Sequence, residues 1–136
     1  MKVKQYRLGE DYPEICEWWR FHGWPEILTT HLSKVGFVSI NGEGKKIAAA
    51  WLYPTGTAFY VFEFFVVNPE AGMKERLNGL KSIIDKAQKV VSDLGGGRLF
   101  VSTKTDSGLS KLLQKCGFTV GDTNMTNLIF DAEVTQ

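Results

Sequence analysis

One acidic side chain interrupts an otherwise apolar stretch. Glu63 is the only charged residue between Ala58 and Val67, a run that is rich in aromatic and β-branched side chains. The run is too short to cross a membrane and predicts a central β-strand buried on both faces. A carboxylate there is costly unless it is paired, protonated or used in chemistry. Burial would raise the pKa of Glu63 toward working pH, as suits a general base. Pairing with a cation or a backbone donor for structural reasons is an equal alternative.

A candidate anion site follows this strand. Asn68-Pro69 ends the strand, and after a short loop apolar residues recur every three or four positions from Met73 to Leu94. This spacing predicts a long amphipathic helix, which Gly95-Gly96-Gly97 ends. The first N–H groups of a helix lack partners and lie at the positive end of its dipole. The mouth of such a strand–loop–helix unit is where α/β proteins bind anions and cofactors.

Aromatic and histidine side chains cluster near the N-terminus. Three tryptophans occur between Trp18 and Trp24 and predict either core anchors or a stacking surface. At helical spacing, Ile15, with Trp18 or Trp19, and His22 define a packing face. His22 is a candidate proton carrier, although a histidine beside aromatic rings is more often a structural hydrogen-bond donor.

The composition predicts one globular domain that spans residues 1–136. The chain is 43% hydrophobic and 12% aromatic with a formal net charge of +1, so charge gives no global argument for nucleic acid or membrane binding. Cys16 and Cys116 lie far apart and suggest neither a disulfide framework nor a metal-ligand cluster. No apolar segment after Met1 has the form of a signal peptide. We therefore expect a soluble, cytoplasmic protein without a metal.

Hydrophobic periodicity and turn residues predict the element order β-α-α-β-β-β-α-β-α-β-β. The first helix is expected to be capped by Asp11 and to end at Gly23, and a short second helix to begin at Pro25. The last helix is expected to be capped by residues 105–107 and to end at Gly117. The predicted strands cover residues 3–8, 35–40, 46–53, 58–67, 98–103, 118–120 and 126–130.

This order resembles that of the GCN5-related N-acetyltransferase (GNAT) superfamily over nearly the whole chain. The resemblance is clearest in the unit that begins at Val67-Asn68-Pro69 and in the Lys115-Cys116-Gly117-Phe118 turn into the sixth strand. The segment from Trp18 to Pro25 also resembles small GNAT-like proteins of bacteriophages. The resemblance implies an α+β fold with α/β/α layers. In that fold a mixed, mostly antiparallel sheet of six or seven strands is flanked by four helices.

The resemblance implies an acyl-CoA-dependent N-acetyltransferase with acetyl-CoA as cosubstrate. Acetyl-CoA would bind where the fourth and fifth strands splay apart, with its pyrophosphate on the loop that opens the long helix. Lys74 and Arg76 oppose the helix dipole unless an anion lies there, or else they are solvated surface charges. The family's loop pattern is Arg/Gln-x-x-Gly-x-Gly/Ala, and Glu75 and Leu77 stand where its small residues fall. The implied cradle comprises Gly72, Met73, Lys74, Glu75, Arg76 and Leu77.

The resemblance also implies roles in the transfer itself. An amine would attack the thioester directly in a ternary complex, with Glu63 as the base and His22 as a second proton carrier. Backbone N–H groups near Val66 or Val67 would polarise the thioester carbonyl at a bulge in the strand. Leu113 occupies the position of the family's tyrosine acid, so solvent or another group would protonate the leaving thiolate.

The resemblance implies less about the pocket for the acceptor amine. In this fold the first two helices cover the acceptor pocket, and dimers are common, so a homodimer through the last strands is a further expectation. Asp106 stands where the family has an asparagine that contacts the cofactor, or it is a plain helix cap. Residues of the first two helices that would contact the acceptor amine, unless they belong to the core, are Trp18, Trp19, Trp24 and His31.

Two alternative functions remain on the same fold. The altered loop and the missing tyrosine would suit a GNAT-fold protein that binds a partner or cofactor without turnover. A phage-type nucleic-acid-modifying enzyme would stack aromatic residues near Arg20 on a flipped base. The near-neutral charge gives no electrostatic footprint for that second alternative.

Overall fold

The structure, a computed structural model, describes residues 1–132. The described residues form two compact units, Met1–Ser102 and residues 103–132. Within residues 1–132, the first unit holds the β-sheet and two α-helices, and the second holds one α-helix. Among the described residues, no helix combines the length and the apolar character that a membrane span requires.

The sheet of the first unit has five strands in the spatial order β1-β2-β3-β4-β5. The first four strands pair with their neighbours in antiparallel fashion, and β5 runs parallel to β4. The sheet is therefore mixed, and the fold is α+β. The strands are β1 (Lys2–Gln5), β2 (Gly36–Ile40), β3 (Lys46–Pro54), β4 (Phe59–Val67) and β5 (Arg98–Phe100).

Helix α1 (Leu8–Phe21) begins earlier than the capping signal predicts. Asp11 was expected to cap the helix, and this expectation is wrong, because Asp11 lies inside the first turns and is fully buried. Its Oδ2 accepts a hydrogen bond from the backbone N–H of Arg7 at 2.7 Å and lies 2.5 Å from Lys4 Nζ. Lys46 Nζ lies 2.9 Å from Oδ1. Ion pairs with two lysines from separate strands therefore stabilise the buried Asp11 carboxylate.

Helix α2 (Met73–Asp93) confirms the predicted long amphipathic helix. Its buried face consists of Gly79, Ile83, Ile84, Ala87 and Val91. A Cβ atom at Gly79 would lie 2.7 Å from both Ile47 Cγ2 and Ser39 Oγ. Glycine at this position thus lets the helix approach β2 and β3 closely.

The core on the α1 side of the sheet is dominated by aromatic rings. Trp51 of β3 is fully buried and lies 5.2 Å from Tyr6 and 5.9 Å from Trp19 between ring centroids. The buried cluster comprises Tyr6, Ile15, Cys16, Trp18, Trp19, Val38, Ala49, Trp51 and Val66.

Three predicted elements do not form in the described residues. The second helix is reduced to a 3₁₀ turn at Thr29–His31, since eight residues rich in β-branched side chains do not sustain an α-helix. Residues 118–120 and 126–130 form no strand, and the described part of their unit contains no strand with which they pair. The described chain therefore has five strands and three α-helices, fewer than the six or seven strands and four helices expected.

Helix α3 (Gly108–Lys115) lies in the second unit. Ser107 caps it, because its Oγ accepts the backbone N–H of Ser110 at 3.0 Å. The cap therefore falls within the predicted segment 105–107. Gly117 follows the helix with φ 98°, as a glycine beyond a helix terminus often does.

Candidate active site

Strands β4 and β5 separate after a short stretch of pairing. Phe59, Tyr60 and Val61 pair with the three residues of β5, and β5 ends there. Strand β4 continues to Val67 with β3 on one edge only, among the described residues. We call residues 63–67 of β4, together with the edge that they leave unpaired, the open edge.

A β-bulge interrupts β4 within the open edge. Between two paired positions, β3 contributes one residue, Ala50, whereas β4 contributes two, Phe64 and Phe65. Phe64 has φ 63°, a left-handed conformation that costs about 1–2 kcal/mol for a residue with a side chain. The ring of Phe65 contacts that of Phe62 at 4.6 Å. In a regular strand these two side chains would point to opposite faces.

The bulge places Glu63 and Phe64 on the same face of the sheet. Glu63 lies opposite Trp51, whose side chain belongs to the core beneath α1. Phe64 contacts Tyr53, with ring centroids 6.1 Å apart, and Tyr53 follows Trp51 by two positions on β3. Both β4 side chains therefore point toward the α1 side. Since Glu63 is half-buried and Phe64 is 36% exposed, the prediction that this strand is buried on both faces is wrong here.

Glu63 joins β4 to the chain just beyond β5. Its Oε1 accepts the backbone N–H of Ser102 at 2.9 Å. Burial raises the pKa of Glu63, and the hydrogen bond from Ser102 acts in the opposite direction with a smaller effect. Among the described residues, no cation forms an ion pair with this carboxylate. The buried carboxyl group therefore holds its proton more tightly than an exposed glutamate does.

His22 meets the far end of the open edge. It follows α1 directly, and its Nε2 lies 3.1 Å from the carbonyl oxygen of Val67. Because a carbonyl only accepts hydrogen bonds, Nε2 carries the hydrogen in this contact. The nitrogen left to take up a proton is Nδ1. The imidazole also stacks on the ring of Trp24 at 4.7 Å.

The loop between β4 and α2 is built by its own side chains. The Arg76 guanidinium donates to the carbonyl oxygen of Ala71 at 2.7 Å and to that of Pro69. Asn68 donates to the carbonyl of Lys46 and accepts the N–H of Glu70, both at 2.9 Å. Arg76 therefore shapes the loop from within.

The first turn of α2 retains donors that suit an anion. Gly72 precedes the helix and provides no side-chain cap, so the first N–H groups have no acceptor within the helix. Lys74 is exposed, as are Met73 and Leu77. The Glu75 carboxylate accepts a hydrogen bond from Asn41 Nδ2 at 2.9 Å and is thereby turned toward the β2–β3 hairpin. This donor set fits a pyrophosphate, which would be held by backbone N–H groups and Lys74.

The remaining predicted site residues lie in different environments. Trp18 and Trp19 are 3% and 2% exposed within the core, which favours the packing interpretation for both. Trp24 is 50% exposed and His31 is exposed in the 3₁₀ turn. Asp106 lies in the second unit with φ 59°, next to the actual helix cap.

Sequence reasoning missed three residues of the site. Phe64 and Tyr53 form an aromatic pair beside Glu63, and Ser102 provides its hydrogen bond. A backbone donor has no sequence signal, and the bulge depends on how β4 aligns with β3. Only the high aromatic content of β4 pointed toward Phe64.

Comparisons with known proteins place this geometry in a fold family. No protein-family model matches the sequence, and no curated protein matches it either. Among solved structures, one named as a probable acetyltransferase has a TM-score of 0.74 at 18% identity, covering 97% of this chain and 100% of its own. A GNAT family acetyltransferase from Streptococcus pneumoniae has a TM-score of 0.66 at 14% identity, with 96% of each chain covered. The chain has the GNAT fold.

A third structure with the GNAT fold carries a ligand. It is a Mycobacterium tuberculosis protein solved in complex with CoA, with a TM-score of 0.68 at 20% identity, covering 93% of this chain and 76% of its own. At these identities the likeness establishes the GNAT fold alone. The resemblance to phage proteins stays a prediction.

Proposed function

We propose that the protein is an acyl-CoA-dependent N-acetyltransferase that transfers acetyl from acetyl-CoA to an amine by direct attack in a ternary complex. The observation that carries this proposal is the open edge of β4, with a half-buried carboxylate at one end and a bulge within it. The GNAT fold and the CoA complex of a structural neighbour support it further.

The pyrophosphate of acetyl-CoA would be held at the N-terminus of α2. The donors are the N–H groups of the first turn, with Lys74 as the exposed cation. Arg76 is engaged by the loop carbonyls, so its part is to hold the loop in shape. Because the Asn41 amide holds Glu75 aside, the carboxylate that replaces a small residue of the family pattern is kept from opposing the phosphates.

Glu63 would take the proton that the attacking amine loses. The amine nitrogen forms a bond to the acetyl carbon, the bond from that carbon to sulfur breaks, and CoA leaves as a thiolate that solvent protonates. The raised pKa of Glu63 suits this task, since a base works best with a pKa near the working pH. His22 Nδ1 is the second candidate proton carrier, with its ring oriented by Val67 and Trp24.

A backbone N–H at the bulge would polarise the acetyl carbonyl. An extra residue in one strand leaves a peptide group unpaired, and a fixed donor aimed at a developing oxyanion stabilises the transition state. The sequence suggested Val66 or Val67 for this role, and the bulge itself lies at Phe64 and Phe65. We therefore extend the candidate donors to residues 64–67.

Release of free CoA thiol from acetyl-CoA, measured over a panel of primary amines, tests the proposal. We expect turnover that needs both an amine and the unaltered Glu63. If acetyl-CoA binds but no amine supports thiol release, the protein binds the cosubstrate without turnover. That second candidate function is favoured by one observation, Leu113 at the position of the family's tyrosine acid.

A further inference from the structure

An aromatic pair lies beside the carboxylate of Glu63. The β4 bulge turns Phe64 onto the face that Glu63 occupies, where its ring meets that of Tyr53 at an interplanar angle of 73°. The Tyr53 hydroxyl donates to the carbonyl oxygen of His31 at 2.7 Å. The phenol is thereby fixed in position, and its ring remains beside Phe64.

The backbone of Phe64 adopts an unfavourable conformation. Its φ of 63° is unfavourable for an aromatic residue. Such strain persists only where the surrounding structure over-determines it, and it concentrates at functional sites. Despite this cost Phe64 is 36% exposed, so complete burial of an apolar group does not explain the strain.

The negative charge of the Glu63 carboxylate has no counter-ion among the described residues. Glu63 uses Oε1 to accept the Ser102 N–H, and no described residue donates to its second oxygen. No described cation pairs with the carboxylate either. A half-buried carboxylate without a counter-ion, next to partly exposed aromatic rings, is complementary to an ammonium group on an aromatic body.

We infer that the acceptor is an arylalkylamine, whose ammonium group binds Glu63 and whose aromatic ring packs against Phe64 and Tyr53. This inference rests on the proposed transferase function and names its substrate class. An aliphatic monoamine would gain the charge contact but not the ring contact. A polyamine would gain the same charge contact, but it has no aromatic ring to pack against Phe64 and Tyr53.

Direct binding of amines tests the inference without relying on turnover. We would titrate the purified full-length protein with 2-phenylethylamine, n-butylamine and spermidine by calorimetry, with and without saturating CoA. The aromatic amine should bind at least about five-fold more tightly than n-butylamine, the usual size of an aromatic contact. Equal affinities, tighter binding of spermidine, or no binding of 2-phenylethylamine under either condition would overturn the inference.

Variants of two phenylalanines of β4 test which surface gives the preference for an aromatic amine. Phe64→Ala should abolish the preference for 2-phenylethylamine over n-butylamine. Phe64→Gly removes the ring and also relieves the positive φ, so it tests the same point if the alanine variant folds poorly. Phe59→Ala is the matched control, because Phe59 has similar exposure at 38% but pairs with β5 outside the open edge. A preference that survives in Phe64→Gly would also overturn the inference.

Failure of this inference is distinguishable from failure of the transferase proposal. If CoA binds and other amines are acetylated in preference to 2-phenylethylamine, the substrate class is wrong and the transferase function stands. If neither CoA nor acetyl-CoA binds, the transferase proposal fails. The amine titration without CoA then decides alone whether Phe64 and Glu63 form an arylalkylamine site.

Discussion

Glu63 accepts the backbone N–H of Ser102 at 2.9 Å, at the place where β4 and β5 cease to pair. The side chain thus spans the opening between the strands. Glu63 lies at one end of the open edge, and His22 contacts the other end through the carbonyl oxygen of Val67. Two titratable side chains therefore flank the open edge.

Replacing Glu63 by glutamine should reduce amine acetylation by about 100-fold or more, as expected for loss of a general base. In the unaltered protein the rate should rise with pH through the raised pKa of Glu63, because only the carboxylate accepts a proton. The glutamine variant should lose this pH dependence and still bind acetyl-CoA. Initial rates at saturating substrates from pH 5 to 9 provide the measurement, and an unchanged rate or profile would rule out Glu63 as the base.

Glu63→Gln should also change how the stability of the protein depends on pH. A carboxyl group whose pKa is higher in the folded than in the unfolded state stabilises the fold fully below its unfolded pKa, usually 4.5, and loses that contribution as pH rises through the folded pKa. The free energy of unfolding of the unaltered protein should therefore fall over this window relative to that of Glu63→Gln. Urea unfolding of both proteins at several pH values would show it.

Asp11 should behave in the opposite way. Its burial favours the neutral form, but hydrogen bonds from Lys4, Lys46 and the Arg7 N–H outweigh this and lower its pKa. Its stabilising contribution is present above the unfolded pKa, near 3.8, and disappears as pH falls through the lower folded pKa. Asp11→Asn should lower the free energy of unfolding at pH 7 by about 1–3 kcal/mol and flatten the acid limb of the profile.

A matched aspartate serves as the control for that variant. Asp85 forms an exposed pair with Lys81 at 2.9 Å on the surface of α2. Asp85→Asn should change stability by no more than about 0.5 kcal/mol. Equal losses in the two variants would mean that the Asp11 cluster is no more important than a surface ion pair.

The observed elements differ in how well local sequence patterns predict them. Helix α2 and strand β4 were predicted because their patterns are long or strongly apolar and need only local information. The start of α1 was misjudged because Asp11 pairs with Lys4 and Lys46 from β1 and β3, and no local signal encodes that choice. Partners distant in sequence overrode a local capping preference.

The site was predictable in chemistry but not in geometry. Glu63 stood out because charge is rare in a buried strand. The role of Arg76 could not be foreseen, since it binds backbone carbonyls that every residue possesses. The bulge at Phe64 depends on the alignment of β4 with Ala50 of β3, which the sequence of β4 does not reveal.

Gly79→Ala should destabilise the protein by about 1–3 kcal/mol. The added methyl group would lie 2.7 Å from Ile47 and Ser39, and such overpacking exceeds the gain in helix propensity. Gly9→Ala in α1 is the control, because no atom outside the local helical backbone lies within 4 Å of the added Cβ and the helix gains up to about 1 kcal/mol. Thermal unfolding of both variants gives the comparison. Stabilisation by both would show that α2 has room to move away from the sheet.

Lys74→Glu should weaken acetyl-CoA binding by about ten-fold at low salt, since it reverses a charge at the positive end of the helix dipole. The dependence of binding on salt should also decrease. Lys86→Glu changes the same charge on an exposed later turn of α2 and should have little effect. Calorimetric titrations at two salt concentrations would compare them. Equal effects of the two variants would move the anion site away from the first turn.

The most direct test of the account is an amide-resolved NMR titration of the protein with acetyl-CoA. We expect saturable shifts confined mainly to residues 63–67 of the open edge and 72–77 of the first turn of α2. Binding in the micromolar range with that pattern would support the proposed transferase site. Absence of shifts at millimolar acetyl-CoA, or shifts confined to other surfaces, would contradict it.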